Sequence, residues 1–583
     1  MLKKIIGLVS LMALFGINIF AQTSTATLSG SVSDENGAAI VGATVTVLNT
    51  ETGVKRTVVT NENGGFTIPL LQPSKYQLTV QQNSFAPFEA NELVLNTNDN
   101  RLINIRLKAG SINEKVVVEA NSVQVDTSPA VSTTVDQNMV ERIPLNGRTI
   151  QNLIALTPGA VTFQPNNSSN VGQISVNGLR TTQNYMTIDG VSANLYVGTN
   201  LAGVGQSNGN VPGFSQLGTT SNLVSVDALE EFKVQTSNYS AEYGRTPGAQ
   251  IQLTTRSGKN TDRGSLFEYF RNEKLDANDW FANAGGLKRS PLRHNNFGGT
   301  FSGPLPFFNF GEGGPMFHNG IDRTFFFFAY EGSRVRLPQV ANTTVVSRNV
   351  RTIAHPSLLP LFSAFPLPTG PDNANGLTAP FLAGYSNPQS QDSTSIRIDH
   401  NITKQISIFG RYSQSPQQSD TLLPANSLAQ SRTGDTRTFT LGFNAAFNSN
   451  LTNEFRFNWS RNIAVSETQF RSFQGTIQPD KSLWVLSPLN ENSIVSISFS
   501  GGLLQQNPNG RGERKQINIA DTFSWVFGNH LFKFGADYRT SPARQDLPDY
   551  SFTAQFNNLT AVTTGRAASV SYTINNPLFT EYS

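Results

Sequence analysis

The chain has 583 residues, 14% of them charged, with a formal charge of +3, 40 Phe, 48 Gly and no Cys. That length implies about two to four domains, and the aromatic content argues against disorder. The small net charge, with no basic stripe interleaved with aromatics, excludes a nucleic-acid partner. Without Cys, this sequence holds no disulfide, zinc–thiolate site, thiol nucleophile or lipidated cysteine.

At the start, Lys3 and Lys4 precede an apolar run from Ile5 to Phe20, and Ala21 precedes the polar Gln22-Thr23-Ser24-Thr25. Positive, apolar and small-residue regions in that order predict a secretory signal over 1–21, cleaved after Ala21. The apolar run is short for a helical span, which needs about 20 residues. No later segment is more suitable, so any membrane crossing must be made by a closed barrel.

Residues 22–110 read as a small β-sandwich. Val45 and Val47 alternate with Thr44 and Thr46, and Tyr76, Leu78 and Val80 with Gln77 and Thr79, the period of half-buried strands. Turn chemistry separates the strands at Asp34-Glu35-Asn36-Gly37, Glu51-Thr52-Gly53 and Asn61-Glu62-Asn63-Gly64. The pattern Gly30-x-Val32, Gly37-x-x-Ile40-x-Gly42-Ala43-x-Val45-x-Val47, Thr60-Asn61-x-x-Gly64-x-Phe66 and Tyr76-x-Leu78-x-Val80 resembles the carboxypeptidase regulatory-like domain. That is a transthyretin-like sandwich, grouped with carbohydrate-binding-like folds. No zinc ligands accompany it, and carbohydrate binding is implied by fold analogy alone.

Residues 111–122 form a linker carrying Glu114-Lys115-Val116-Val117-Val118-Glu119-Ala120. Read bare, this β-prone run is a last sandwich strand or a plain connection. Its place before the next domain makes it resemble a TonB box, which implies an energy-coupling partner of the TonB type that takes the peptide as an added strand.

Over 123–258 three stretches follow in order. Ile143-Pro144-Leu145-Asn146-Gly147-Arg148 leads to a short helix, Asn152 to Thr157, ended by Pro158-Gly159. Ile174 to Arg180 and Met186 to Val191 are strands ending in tight Asn177-Gly178 and Asp189-Gly190 turns. Val226 to Val234 leads to Tyr239-Ser240-Ala241-Glu242-Tyr243-Gly244-Arg245 and Gly248 to Thr255. The series resembles the plug of TonB-dependent receptors, especially the Oar-like branch that carries an N-terminal regulatory-like module. The resemblance marks Asn146, Gly147, Arg148, Asn177, Gly178, Arg180, Asp189, Gly190, Glu230, Tyr243, Gly244 and Arg245 as plug motif residues. Plug carboxylates of this kind are expected to pair with Arg residues on the wall around them. The Gly-rich stretch 198–218 fits no phosphate-binding spacing and reads as a plug loop.

From 259 to 583 the signal is alternation. Phe439, Leu441, Phe443, Ala445 and Phe447 oppose Thr438, Thr440, Gly442, Asn444 and Ala446; after Asn448-Ser449-Asn450, Phe455, Phe457 and Trp459 oppose Glu454, Arg456, Asn458 and Ser460. Strands of about ten residues joined alternately by short turns and long loops, such as 414–435 and 462–492, are the signature of an outer-membrane barrel. Roughly ten strand candidates are visible against about 22 in barrels that enclose a plug, and the final residues Phe579-Thr580-Glu581-Tyr582-Ser583 lack a terminal aromatic. The expectation is a barrel that does not close, in a chain that is part of a longer protein.

No chemistry of catalysis emerges. The five His are scattered without metal-ligand spacing, and neither a nucleophile elbow nor a P-loop occurs. The chain therefore reads as mainly β and non-enzymatic, without cofactor or metal: an N-terminal sandwich, a mixed α+β plug, and an incomplete antiparallel transmembrane β-barrel. The function implied is energised passage of a large or scarce solute across the outer membrane. The partners expected are a TonB-type protein, outer-membrane lipid and an unidentified extracellular ligand, with carbohydrate one option. The competing reading is a surface structural or adhesion protein whose sandwich binds glycans.

Overall fold

The computed structural model describes residues 24–582 apart from 111–115, 120–123, 144–149, 164–172, 195–205, 208–210, 213–223, 309–316, 485–491, 507–509, 547 and 575–580. The predicted signal, with Ala21, lies outside the described residues, as do Glu114, Lys115, Ala120 and the Asn146-Gly147-Arg148 motif.

The N-terminal sandwich is built from β1 (Ala26–Ser33), β2 (Thr44–Asn49), β3 (Lys55–Val59), β4 (Gly65–Leu71), β5 (Ser74–Gln81), β6 (Phe88–Leu95), β7 (Asn100–Arg106), β8 (Val116–Glu119) and β9 (Gln124–Asp126). One sheet runs β4-β1-β7-β9 and the other β3-β2-β5-β6-β8. Alternation places Leu28, Val45, Leu78 and Ile103 fully inside, each contributing about 1.5–3 kcal/mol by burial. The turn before β4 is set by Asn61, whose side-chain oxygen accepts from the Asn63 and Gly65 amides at 3.0 and 2.8 Å. Gly64 sits there at φ +71°, and a Cβ would meet the Val32 carbonyl at 2.5 Å, so a side chain is excluded on two counts.

The plug centres on a five-stranded mixed sheet ordered Val131–Asp136, Leu229–Ser237, Gln250–Thr255, Tyr185–Ile188, Val191–Ser192. Its apolar core includes Ile150, Leu153, Met186, Phe232 and Ile251, and it also takes in Phe327 and Ala329 from a strand of the surrounding wall. Plug and wall therefore share one core.

That wall is an eleven-stranded sheet. Its long strands are Arg263–Asn272, Arg293–Pro304, Thr324–Val346, Thr378–Asn401, Ile406–Leu423, Leu428–Ala446, Leu451–Phe470, Gly510–Phe527 and His530–Thr540, paired antiparallel in chain order. Among the described residues the sheet is open, with Arg263–Asn272 at one edge. Strand length departs from the sequence expectation: Thr378–Asn401 runs 24 residues and Leu451–Phe470 runs 20. Most of 414–435, expected as a loop, is instead ladder on both sides of a turn at Pro424–Ser427; likewise the strand from Leu451 continues through 462–470. Burial still alternates here, with Ser415, Gln417 and Ser419 inside, but both faces carry polar residues, so the apolar alternation vanishes while the backbone ladder continues.

Burial on this sheet is inverted. Arg411 and Arg456 rank among the largest fully buried side chains, whereas Phe439, Phe447, Phe523 and Trp525 are exposed. Apolar side chains facing out and polar ones facing in are what a lipid-embedded barrel requires. Inward groups satisfy one another across strands: Asn458 donates to Thr440 at 3.1 Å and Asn462 to Thr436 at 2.8 Å. Near the short turn at Gly528-Asn529, the Trp525 ring lies 5.4 Å from that of Phe527 and 5.8 Å from that of Phe532, an interfacial aromatic cluster. The sandwich sits at this end: Asn61 donates to the Asn529 side chain at 2.9 Å and to the Gly528 carbonyl at 3.2 Å.

At the opposite end, segments far apart in sequence build a small domain of their own. Ser493–Phe499, Gly502–Gln506, Tyr550–Phe556 and Ser569–Ile574 form a four-stranded sheet. Helices Arg348–Ile353, Leu359–Ala364 and Leu559–Thr564 add Val350, Leu361, Phe362 and Val562 to one core with Trp484, Phe499 and Phe556. No single one of these stretches carries enough apolar surface to announce a core in the sequence.

The inverted burial has a direct test. Single Cys at 455, 457 or 459, in the full chain in membranes, should react with a lipid-soluble maleimide. Cys at 454, 456 or 458 should be shielded from it, and the opposite pattern would refute the lipid-facing assignment. Phe457→Arg should destabilise by about 2–4 kcal/mol if it lies near the midplane, read as a lowered unfolding midpoint.

Candidate functional site

Sequence dictates a tight hairpin at Asp189-Gly190, and both residues adopt left-handed backbone, φ 52° and 83°, as a type I′ turn needs. The turn points Asp189 at the wall, where it is 3% exposed. One carboxylate oxygen accepts from the Thr255 amide at 2.9 Å and both accept from its hydroxyl at 3.0 Å. Arg411 Nε lies 2.8 Å from the carboxylate and an Arg397 terminal nitrogen 3.3 Å away. Burial by itself would raise the Asp189 pKa; the charges of Arg411 and Arg397 and the Thr255 bonds outweigh it and hold the group below its ordinary value. The stability this contributes is complete above the unfolded carboxylate pKa and is lost as pH falls toward the folded value.

The cluster extends along the wall. Arg397 lies 4.2 Å and Arg456 5.2 Å from the centre of the Phe409 ring, so one aromatic serves two cations. Arg456 pairs with Glu454 at 2.8 Å. Glu454 in turn accepts from the Ser24 amide at 3.1 Å and from the Ser24 and Thr25 hydroxyls at 3.0 Å, bringing the start of the sandwich to the same place. Further round, Lys533 pairs with Glu242 at 3.0 Å and Arg245 with Asp537 at 3.1 Å. Arg539 donates to the Ser192 hydroxyl at 2.8 Å.

A second seam joins plug and sandwich. Lys233, 1% exposed, pairs with Asp99 at 3.0 Å, and the Thr97 and Thr254 hydroxyls meet at 2.6 Å. Lys259 bridges Glu51 and Glu230 at 2.8 and 3.2 Å. Beside them Glu231 accepts from the Thr97 amide. Burial, then Asp99 and Glu230, push its carboxyl up to about 7 against the Thr97 bonds. A cavity of about 140 Å³ lies where sandwich, plug and wall meet, lined by Arg56, Tyr76, Glu230, Lys259, Arg397 and Asp399. A larger one of about 750 Å³, bordered by Asp276, Asp279, Arg289, Tyr385, Asn387 and Thr421, lies farther along the same strands. Among the described residues no group of three or more His, Cys, Asp or Glu converges as a metal would need.

Of the residues singled out from sequence, Asp189, Gly190, Glu230 and Arg245 fall at these seams. Tyr243 is buried, with its ring centroid 6.1 Å from that of Tyr239, and Gly244 belongs to the same bend. Asn177, Gly178 and Arg180 are turn residues instead: Asn177 has φ 51° and donates to the Thr236 carbonyl at 3.1 Å, and the Arg180 side chain is exposed. Val116–Glu119 pairs in parallel with β6 at the edge of the sandwich. Glu454 and Arg456 were legible only as members of the polar face of an alternating strand, and Arg397 and Arg411 were not picked out. Their signal was isolated charge at inward positions of otherwise aromatic strands.

Comparison with known proteins follows the same division. A family model described as an outer membrane beta barrel domain matches residues 254–354 and 348–579. The carboxypeptidase regulatory-like domain matches 27–108 and the TonB-dependent receptor plug domain 124–249. The TonB-dependent transporter Oar of Myxococcus xanthus is 28% identical over 308 residues, spanning 50% of this chain and 26% of that protein. The outer membrane transporter YddB from Escherichia coli is similar with a TM-score of 0.49 at 14% identity, covering 76% of this chain and 52% of that one. The siderophore receptor PirA from Acinetobacter baumannii has a TM-score of 0.43 at 13% identity, covering 72% and 49%. The chain thus spans about a quarter of the length of the curated relative.

Two consequences can be measured. Asp189→Asn leaves Arg411 buried without its counter-charge, while Arg397 keeps Asp399 at 2.8 Å, and should cost about 3–5 kcal/mol, seen as a lowered urea midpoint; an unchanged midpoint contradicts the lock. Glu231, with its pKa raised, favours the seam fully below the unfolded carboxylate value and loses that contribution as pH climbs to about 7. Stability should therefore drop between pH 5 and 8, and Glu231→Gln should flatten that slope.

Proposed function

This chain belongs to the outer-membrane β-barrel family of TonB-dependent receptors, and on that premise we propose that it moves a large or scarce solute across the outer membrane by energised rearrangement of its plug. The observation that carries the reading is the seat of the plug. It is held in the lumen by charged and polar contacts to the wall, Asp189 to Arg397 and Arg411 above all. Water entering the lumen can replace such contacts during a concerted displacement, whereas single breaks are costly. A seat of that type supports a plug that is both firmly placed and movable.

In this reading the ligand, which could be a carbohydrate, enters from the end that bears the loop-built domain. Glu114–Ala120 is the segment grasped by a TonB-type protein from the periplasm, where the sandwich lies, and the motif residues Asn146, Gly147, Arg148, Asn177, Gly178 and Arg180 shape the plug. Glu230, Asp189 and Arg245 hold it against its neighbours. The alternative of a glycan-binding surface protein gains nothing from a charged plug seat, so transport is preferred.

Val117→Pro tests the coupling segment. Proline removes a ladder donor and fixes φ, so capture of the full chain by the C-terminal domain of the coupling protein should weaken by about tenfold or more, since that contact is made mainly through the backbone. The barrel should remain folded. Undiminished capture would move the coupling segment elsewhere.

A further inference from the structure

We propose that Arg437, Arg461 and Lys515, on the outward face of the wall, hold the phosphate groups of an outer-leaflet lipid. The choice of leaflet rests on the reading that puts the sandwich in the periplasm. Three neighbouring strands carry the same order of outward side chains. On Leu428–Ala446 these are Phe443, Leu441, Phe439 and then Arg437; on Leu451–Phe470 they are Phe455, Phe457, Trp459 and then Arg461. On Gly510–Phe527 they are Trp525, Phe523, Asp521, Ile519, Ile517 and then Lys515, with Asp521 accepting from the Asn453 side chain at 2.6 Å. Phe439 stands opposite Trp459 and Trp459 opposite Ile517; one step on, Arg437 stands opposite Arg461 and Arg461 opposite Lys515. The intervening residues Thr438, Ser460 and Gln516 are buried on the inner side. Apolar surface therefore stops on one line across three strands, and a row of cations begins on the next.

Height places that line. From Trp525, beside the turn at the sandwich end, to Lys515 the strand rises about 33 Å at about 3.3 Å per residue. Tilted by about 40°, it climbs about 25 Å along the membrane normal, the full height of an outer-membrane apolar band. The row thus lies at headgroup level on the side away from the sandwich.

Its charge is not balanced within the wall. Like charges directly opposite on adjacent strands repel, and here three stand in file. Arg437 Nε lies 2.7 Å from Asp435, while Arg461 Nε lies 2.8 Å and Lys515 Nζ 3.5 Å from Glu513. Three cations share two carboxylates, leaving one positive charge. The carboxylates take only the Nε edge of each guanidinium; among the described residues no hydrogen bond uses the terminal nitrogens of Arg437 or Arg461. A phosphate is the anion that an open guanidinium fork accepts at two points. A lipid that carries the phosphate also lays its acyl chains on Phe439, Trp459 and Ile517 just below, which a free anion cannot do.

The test uses the full chain in phosphatidylcholine nanodiscs, with diphosphorylated lipid A as the probe and the same lipid after dephosphorylation beside it. The wild type should hold the phosphorylated form about tenfold or more tightly, and the combined Arg437→Gln, Arg461→Gln and Lys515→Gln variant should lose that preference. Combined Lys55→Gln, Lys75→Gln and Lys108→Gln, the same change of charge at exposed positions of the sandwich, should leave it intact. Asp435→Asn, which keeps every cation, should strengthen it, so the site is read even if the triple variant folds poorly. No preference in the wild type, or equal loss in the row and sandwich variants, overturns the site. Displacement of the lipid by millimolar inorganic phosphate reassigns the row to a free anion and overturns the lipid. In a chain without Cys, Arg437→Cys on whole cells should react with a membrane-impermeant maleimide. Failure to react while the lipid preference stands overturns the orientation and moves the row to the periplasmic leaflet.

Discussion

A carboxylate buried among guanidinium groups sets the terms for the whole assembly. Asp189 cannot stay ionised in the lumen without Arg397 and Arg411, and those cations, inside a lipid-bounded wall, need a counter-charge as much as it needs them. The hairpin that bears Asp189 is short, left-handed at two successive residues and fastened to Thr255 on the adjacent strand. The charge is therefore delivered from a rigid point. Once it is placed, the orientation of the plug sheet follows, along with the contacts of Ser192, Glu242 and Arg245 farther round the wall.

The same cluster shows how far the sequence could be read. The Asp-Gly turn is local chemistry and was legible, as was the alternation that gives the wall its two faces. The partners of Asp189 were not, since Arg397 stands 208 residues away and only the packing of the plug against the wall brings it near. The ladder through 414–435 was hidden for a different reason. Polar residues such as Gln417, Gln418 and Ser419 read as loop, yet an antiparallel ladder asks only for backbone pairing. The segment 116–119 had been left open between last strand and coupling peptide, and its position beside β6 makes the two descriptions compatible.

The sandwich is more than an appendage to the barrel. It touches the wall through Ser24 and Thr25 at Glu454, the short turn at Gly528-Asn529 through Asn61, and the plug through Thr97, Asp99 and Glu51. It contributes hydroxyl and amide groups at the wall and the turn, and charge at the plug through Asp99 and Glu51.

The small domain at the far end has an evolutionary corollary. Surface loops on barrels ordinarily drift independently, each tolerating insertion and substitution without reference to the others. Here Phe362, Phe499 and Phe556, from three separate excursions of the chain, pack in one core with Val562. A change in any one alters the footing of the others, so these excursions must diversify as a set. An antibody or phage that recognises this surface would correspondingly meet a single composite epitope, and escape from it by mutation in one loop would carry a folding penalty paid in the other two.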